Sequence, residues 1–239
     1  MRSVTDLKIK LFLDGANVAA MREAREKNPL VKGFTTNPTL MKKAGVSDYA
    51  AFAKEAIAAV GDLPISFEVF SDEFPEMEAQ AKLIASWGGN TYVKIPVTNT
   101  KGQSAAPLIK KLAEAGVALN VTAILTLEQV KEVAAALSPK TPSIVSVFAG
   151  RVADTGRDPK PMMSESVSIL KNNAKAELLW ASPRELLNLF EAEDTGCHII
   201  TATKDIIDKM ALVGKDLGQY SLETVKMFYN DASAAGYKL

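Results

Sequence analysis

The chain has 239 residues, sets 28 lysines and arginines against 28 aspartates and glutamates, and carries one cysteine and one histidine. Zero formal charge without like-charged blocks excludes the electrostatic footprint of a nucleic-acid-binding protein, and Cys197 with His198 cannot supply a disulfide framework or a His/Cys metal cluster. No apolar run reaches membrane-spanning length and no apolar leader with a small-residue cleavage site is recognisable, so the expectation is a cytoplasmic protein with no membrane partner and one domain over residues 1–239.

Taken in chain order, short β-rich runs alternate with helical patterns. The runs lie at 8–14 (KIKLFLD), 31–37 (VKGFTTN), 65–70 (ISFEVF), 90–97 (NTYVKIPV), 117–124 (VALNVTAI), 143–148 (SIVSVF), 177–182 (ELLWAS) and 197–202 (CHIITA). Between them, segments such as 75–87 and 104–115 are rich in Ala, Leu, Lys and Glu and read as helices. Thr126 with Gln129, and Ser182 with Glu185 after Pro183, read as capping boxes that start two of these helices. Eight β/α units without a Gly/Ser-rich linker predict an α/β fold, a single (β/α)8 TIM barrel, with an open doubly wound sheet as the alternative. After the eighth run, Leu222, Val225, Phe228, Tyr229 and Ala232 recur at helical spacing. They predict an additional C-terminal helix over 221–236 that packs on the barrel or on a neighbouring subunit. Cys197 and His198, beside Ile199 and Ile200, are expected in the core.

Side chains alternate faces along a strand, and in a barrel the apolar face meets the helices. In the first run Ile9, Leu11 and Leu13 then face outward, and Asp14 ends the inward set. The second run places Asn37 at its C-terminal end, before Pro38, and the third sends Ser66, Glu68 and Phe70 inward. In the fourth, Val93, Ile95 and Val97 face outward, so Lys94 points into the barrel with Tyr92 and Pro96. Desolvation there disfavours the ammonium and yields the neutral amine that can attack a carbonyl. The fifth run turns Leu119, Val121 and Ala123 outward and Asn120 and Thr122 inward, and the sixth turns Ser146 and Phe148 inward. Each residue has a plainer alternative: Lys94 snorkelling from an edge strand, Asp14 opening a turn with Gly15, Asn37 capping a helix, Thr122 satisfied in the core. Their convergence at the barrel end that holds catalytic groups favours a site, because unpaired polar groups in a core each cost energy on the kcal/mol scale. Arg151 and Arg157 follow the sixth run, and Ser182 and Arg184 stand where the seventh turns into a helix. A helix N-terminus with an arginine fork suits an anion. Arg157, further along its loop, is expected at the surface.

Together the stretches LFLDGAN, GFTTNPTLM, FEVF, YVKIPVT, LNVTAIL, SVFAGRVADTGRDP and WASPRE resemble the transaldolase family from the first strand through the eighth. The resemblance implies Lys94 as the Schiff-base lysine, Asp14 as the acid/base for carbon–carbon cleavage and formation, and Glu68 with Thr122 as handlers of a catalytic water. It implies Asn37 and Asn120 as holders of substrate hydroxyls or of the lysine nitrogen, Ser146 as a wall of the sugar site, and Arg151, Ser182 and Arg184 as phosphate ligands. No metal and no organic cofactor is implied. Sugar phosphates are the implied small-molecule partners, and short members of the family tend to form ring-like homo-oligomers. The implied reaction moves a dihydroxyacetone unit from fructose 6-phosphate to an aldehyde such as erythrose 4-phosphate, giving sedoheptulose 7-phosphate.

A small aldolase branch of the family, similar in size to this chain, releases dihydroxyacetone instead. That branch typically carries glutamine at the position of Glu68 and tyrosine at that of Phe148, so both residues side with transfer. The stretch VTNTKGQSAAP after Lys94 departs from the family pattern and leaves open another anion, such as a sugar sulfonate, at the arginines. Two readings come from other classes. A metal-dependent lyase would take Asp14 and Glu68 as ligands without needing Lys94, and a non-catalytic sugar-phosphate-binding barrel would have no use for a base beside the lysine.

Overall fold

The computed structural model describes residues 2–238. Eight strands follow one another around the sheet: β1 (Lys10–Asp14), β2 (Val31–Thr35), β3 (Ile65–Glu68), β4 (Thr91–Pro96), β5 (Leu119–Ile124), β6 (Ser143–Val147), β7 (Ala176–Trp180) and β8 (Ile199–Ala202). Every neighbouring pair is parallel, and β1 pairs with β8 to close the barrel. The helices are α1 (Val18–Lys27), α2 (Pro38–Lys43), α3 (Tyr49–Val60), α4 (Phe74–Ala85), α5 (Ala106–Glu114), α6 (Leu127–Ala136), α7 (Ala149–Ala153), α8 (Lys160–Leu170), α9 (Leu187–Asp194), α10 (Lys204–Asp208) and α11 (Leu217–Ala235). The eightfold alternation read from the sequence is therefore a (β/α)8 barrel, not an open sheet.

The barrel has two apolar layers because strand parity has two faces. Leu11, Leu13, Ile65, Phe67, Val93, Ile95, Leu119 and Val121 face outward and join the helices in the main core. Inside the barrel, Phe12, Ile144, Leu179, Ala181 and Ile199 form a separate cluster, with Tyr92 and Phe148 packed against it. Phe12 reaches across its neighbour strand because β2 carries glycine there: a Cβ on Gly33 would stand 2.5 Å from the Phe12 ring.

Strict alternation fails where the strands bulge. Leu11 pairs with Val31 but Phe12 pairs with Gly33, so Lys32 is an extra residue in β2. A second irregularity falls in β5 between Val121 and Ile124, where Ala123 has φ 63°. Ala123 therefore lines an interior cavity instead of facing outward as parity predicts. Phe70 also departs from its predicted inward place: β3 stops at Glu68, and Phe70 is 68% exposed on the rim.

Of the two predicted capping boxes, one forms. Thr126 accepts from the Gln129 N–H, and the Gln129 side chain accepts from the Thr126 N–H. Ser182 starts no helix; it has φ 59°, and α9 begins only at Leu187. Asn188 takes the local role, its Oδ1 accepting from the N–H groups of Arg184 and Glu185. Cys197 is buried and desolvation pushes its thiol up to about 12, whereas His198 is only half-buried and accepts from the Leu178 N–H through Nδ1. The C-terminal helix starts at Leu217, earlier than predicted, capped by the Asp216 side chain and closed by left-handed Gly236. It does not pack on the barrel: none of its residues is buried, and Leu217, Leu222, Val225, Phe228 and Tyr229 are all exposed.

Candidate active site

A cavity of about 590 Å³ opens at the C-terminal end of the strands. Every site residue expected from the sequence lines it: Asp14, Asn37, Glu68, Lys94, Asn120, Thr122, Ser146, Phe148, Arg151, Ser182 and Arg184. Strand register puts them there. Glu68 stands opposite Lys94 across β3 and β4, and Lys94 opposite Asn120 across β4 and β5, so the three share one level of the barrel. Arg157, as expected, lies outside the cavity at the surface. A second cavity of about 420 Å³ lies at the opposite end. Its lysines are exposed and none is buried between carboxylates, and barrel enzymes place their chemistry at the C-terminal face.

Lys94 is 6% exposed, and its Nζ donates to the Thr36 carbonyl at 2.9 Å while lying 3.0 Å from Glu68 Oε2. Asp14 closes β1 beside it. Burial pushes the Asp14 carboxyl up, and the Lys94 charge and a hydrogen bond from Thr35 pull it part of the way back. That bond belongs to a short hydroxyl chain: Thr35 Oγ1 donates to Asp14 Oδ1 at 2.7 Å and lies 2.5 Å from Thr201 Oγ1. With the one proton of Thr35 directed to Asp14, Thr201 is the donor across the contact between the two hydroxyls.

Next to the lysine, Asn120 is hydrogen-bonded on both sides inside the barrel, donating to Ser66 Oγ at 3.0 Å and accepting from Ser146 Oγ at 2.6 Å. Asn37 caps α2 through Oδ1, as its plainer reading held, and its side-chain NH2 stays available to the cavity it lines. Thr122 is 2% exposed, and its hydroxyl has no partner among the described residues. A buried hydroxyl left without a partner is a costly feature, which a bound water or ligand oxygen would relieve.

The mouth carries the cations. Arg151, on α7, holds its guanidinium 5.3 Å above the Phe148 ring. Arg184 donates from Nε to Asp154 Oδ1 at 2.9 Å and from Nη2 to Oδ2. This fork keeps the Asp154 carboxyl below its usual range. Gly150 lets these groups meet: a Cβ there would fall 1.5 Å from the Ser182 carbonyl oxygen, so only glycine allows α7 to abut the end of β7. Sequence reasoning missed Thr35, Thr201, Ala123, Gly150 and Asp154. Thr35 carried a usable signal, standing two residues before Asn37 at the end of a strand.

Fold and cavity together define a barrel protein whose polar and ionisable groups converge at the catalytic end, around a lysine flanked by two carboxylates. The profile of the Transaldolase/Fructose-6-phosphate aldolase family matches residues 11–239. Among curated relatives, a "Probable transaldolase" of Thermoanaerobacter sp. is 34% identical over 232 residues, covering 97% of this chain and all of that protein. A "Probable transaldolase" of Dehalococcoides mccartyi is 33% identical over 203 residues, 84% of this chain and 90% of the relative. One from Streptococcus equi subsp. zooepidemicus is 36% identical over 207 residues, with the same two coverages. The chain belongs to the transaldolase/fructose-6-phosphate aldolase family.

Proposed function

We propose that the protein is a transaldolase that works through a Schiff base on Lys94. The observation that carries this reading is the setting of Lys94, nearly buried in the cavity wall with a carboxylate 3.0 Å from its nitrogen. Glu68 takes a proton from the ammonium, and the amine attacks the C2 ketone of the donor. The resulting carbinolamine loses water as Glu68 returns a proton to its hydroxyl, with the free hydroxyl of Thr122 holding that water. Ionised Asp14 then takes the proton of the C4 hydroxyl. The C3–C4 electron pair flows into the iminium, leaving an enamine on Lys94 and an aldehyde that departs. A second aldehyde accepts the enamine carbon, Asp14 returns its proton to the new alkoxide, and water releases the product from Lys94. A carboxyl raised by burial suits a base that must give its proton back.

In this reading Asn37, Asn120, Ser146 and Phe148 form the sugar subsite, and Arg151, Ser182 and Arg184 take the phosphate, Arg184 exchanging Asp154 for it. The donor is fructose 6-phosphate and the acceptor erythrose 4-phosphate, a step of pentose phosphate metabolism in the cytoplasm. No metal or cofactor takes part. The test is borohydride reduction in the presence of fructose 6-phosphate, followed by mass spectrometry. A three-carbon adduct on Lys94, absent from Lys94→Ala, is expected; an adduct on another lysine, or none, overturns the mechanism.

The family name covers aldolases as well, so a second reading is release of free dihydroxyacetone. Glu68 can ionise and shuttle protons, and Phe148 brings no hydroxyl to activate water at the enamine; both favour transfer. Dihydroxyacetone release from fructose 6-phosphate alone is therefore expected to be much slower than turnover with erythrose 4-phosphate present. Equal rates would make the aldolase reading correct. A sulfonate acceptor or donor in place of the phosphate is the remaining variant of the same chemistry. The apolar face of α11, unpacked on its own barrel, supports a homo-oligomer in which a second copy covers it.

A further inference from the structure

We propose that the N-terminal end of the barrel holds a second binding site, for a small organic anion with an apolar body. The cavity there measures about 420 Å³, within the roughly 300–1,000 Å³ of ligand pockets. It is divided from the catalytic cavity by the inner apolar cluster: Phe12, Tyr92 and Ile144 line the lower space, while Leu179, Ala181 and Phe148 line the upper. None of the residues argued to act on sugar phosphates reaches it.

Its inner wall is apolar and its rim cationic. Lys8, Lys10 and Lys32 line it against a single carboxylate, Glu177, which Lys10 occupies at 2.7 Å. Among the described residues, neither Lys8 nor Lys32 has a carboxylate within salt-bridge distance of its ammonium. Lys32 is also the extra residue of the β1/β2 bulge, the device by which strands at barrel rims re-aim a side chain. Without that bulge, parity along β2 would be continuous and Lys32 would fall on the other face. The Tyr92 hydroxyl makes no hydrogen bond to the described protein, and its half-buried ring forms part of the same wall. Two unpaired ammonium groups and a free phenol above an aromatic and aliphatic surface match one kind of ligand. Its headgroup meets Lys32 and Lys8 with a hydrogen bond from Tyr92, and its hydrocarbon part lies on Phe12 and Ile144. Aromatic or branched carboxylates and phosphate monoesters share this chemistry.

The experiment is a calorimetric titration of the full-length protein with phenyl phosphate, benzoate and inorganic phosphate, in wild type and in Lys32→Glu, Lys32→Gln, Tyr92→Phe and Arg184→Ala. One organic probe is expected to bind saturably at a site that survives Arg184→Ala, at least about tenfold tighter than inorganic phosphate, the scale of burying one or two methylene equivalents. Loss of the charged hydrogen bond in Lys32→Glu and Lys32→Gln is expected to weaken it by about tenfold or more, with a smaller loss in Tyr92→Phe. Whichever organic probe binds tighter identifies the headgroup. The inference is overturned by no saturation at millimolar concentrations, by inorganic phosphate binding as tightly, or by binding that Arg184→Ala removes and Lys32→Glu leaves intact.

Discussion

Asp14 is held in a setting that works against folding. Burial raises its carboxyl above the ordinary value, so the folded chain binds this proton more readily than the unfolded chain does. The corresponding stability is fully present below the unfolded-state value and is lost as pH rises through the raised folded-state value. Once ionised, the group is therefore a net strain on the fold, which the chemistry proposed for it would explain. Asp14→Asn keeps an acceptor for Thr35 and removes the charge, so it should abolish turnover yet raise the melting temperature, by about 2–4 °C for each kcal/mol gained. The gain should shrink as pH is lowered; thermal melts of both proteins across the pH range decide it. A lower melting temperature for the variant at neutral pH would mean that attraction to Lys94 outweighs desolvation. Asp14, Glu68 and Lys94 were legible in the sequence because each interrupts an apolar parity with an ionisable group. Thr201 was not, and Thr35 only through its place two residues before Asn37, since a β-branched hydroxyl residue inside a strand is equally at home as packing; the chain of bonds to Asp14 sets both apart.

Elements were legible where local chemistry set them and illegible where backbone contacts from afar did. Thr126 and Gln129 satisfy each other's orphan N–H groups within one turn, so their cap could be read from spacing alone. Ser182 carries the same residue pattern, but the end of β7 must turn under α7, and the serine adopts a positive φ that removes it from any cap. Bulges share this property: one extra residue in β2 or β5 leaves no mark in an apolar alternation yet shifts Lys32 and Ala123 to new faces. The contact between Gly150 and Ser182 is the element-scale test. In Gly150→Ala the new methyl meets backbone, not a flexible side chain, so α7 must move away from β7. The expected cost is about 1–3 kcal/mol of stability, with a raised KM for phosphorylated substrates as Arg151 and Ser182 separate. Unchanged stability and KM would show that the loop yields without disturbing the mouth.

At the scale of the whole molecule, the densest run of large exposed apolar side chains is on α11. Phe70, Leu125 and Leu187 follow β3, β5 and β7 and Leu83 stands on α4, whereas Leu217, Tyr220, Leu222, Val225, Met227, Phe228 and Tyr229 all lie along α11. A helix with an apolar face and no partner is not stable as an isolated arm, so the oligomer proposed above should dissociate when that face is charged. Phe228→Glu combined with Val225→Glu is expected to reduce the mass measured by light scattering to that of one chain, while the barrel keeps its circular dichroism. A wild-type chain that is already monomeric at micromolar concentration would remove the argument. The Phe12 layer, finally, makes the barrel a cup and not a tube. In the proposed reaction, donor, departing aldehyde, acceptor and water must all use one opening, and the first aldehyde has to clear it before the second can approach. The strict alternation of arrival and departure that the proposed covalent chemistry calls for would thus also be a matter of traffic, set by a single phenyl ring that fits only because its neighbour is glycine.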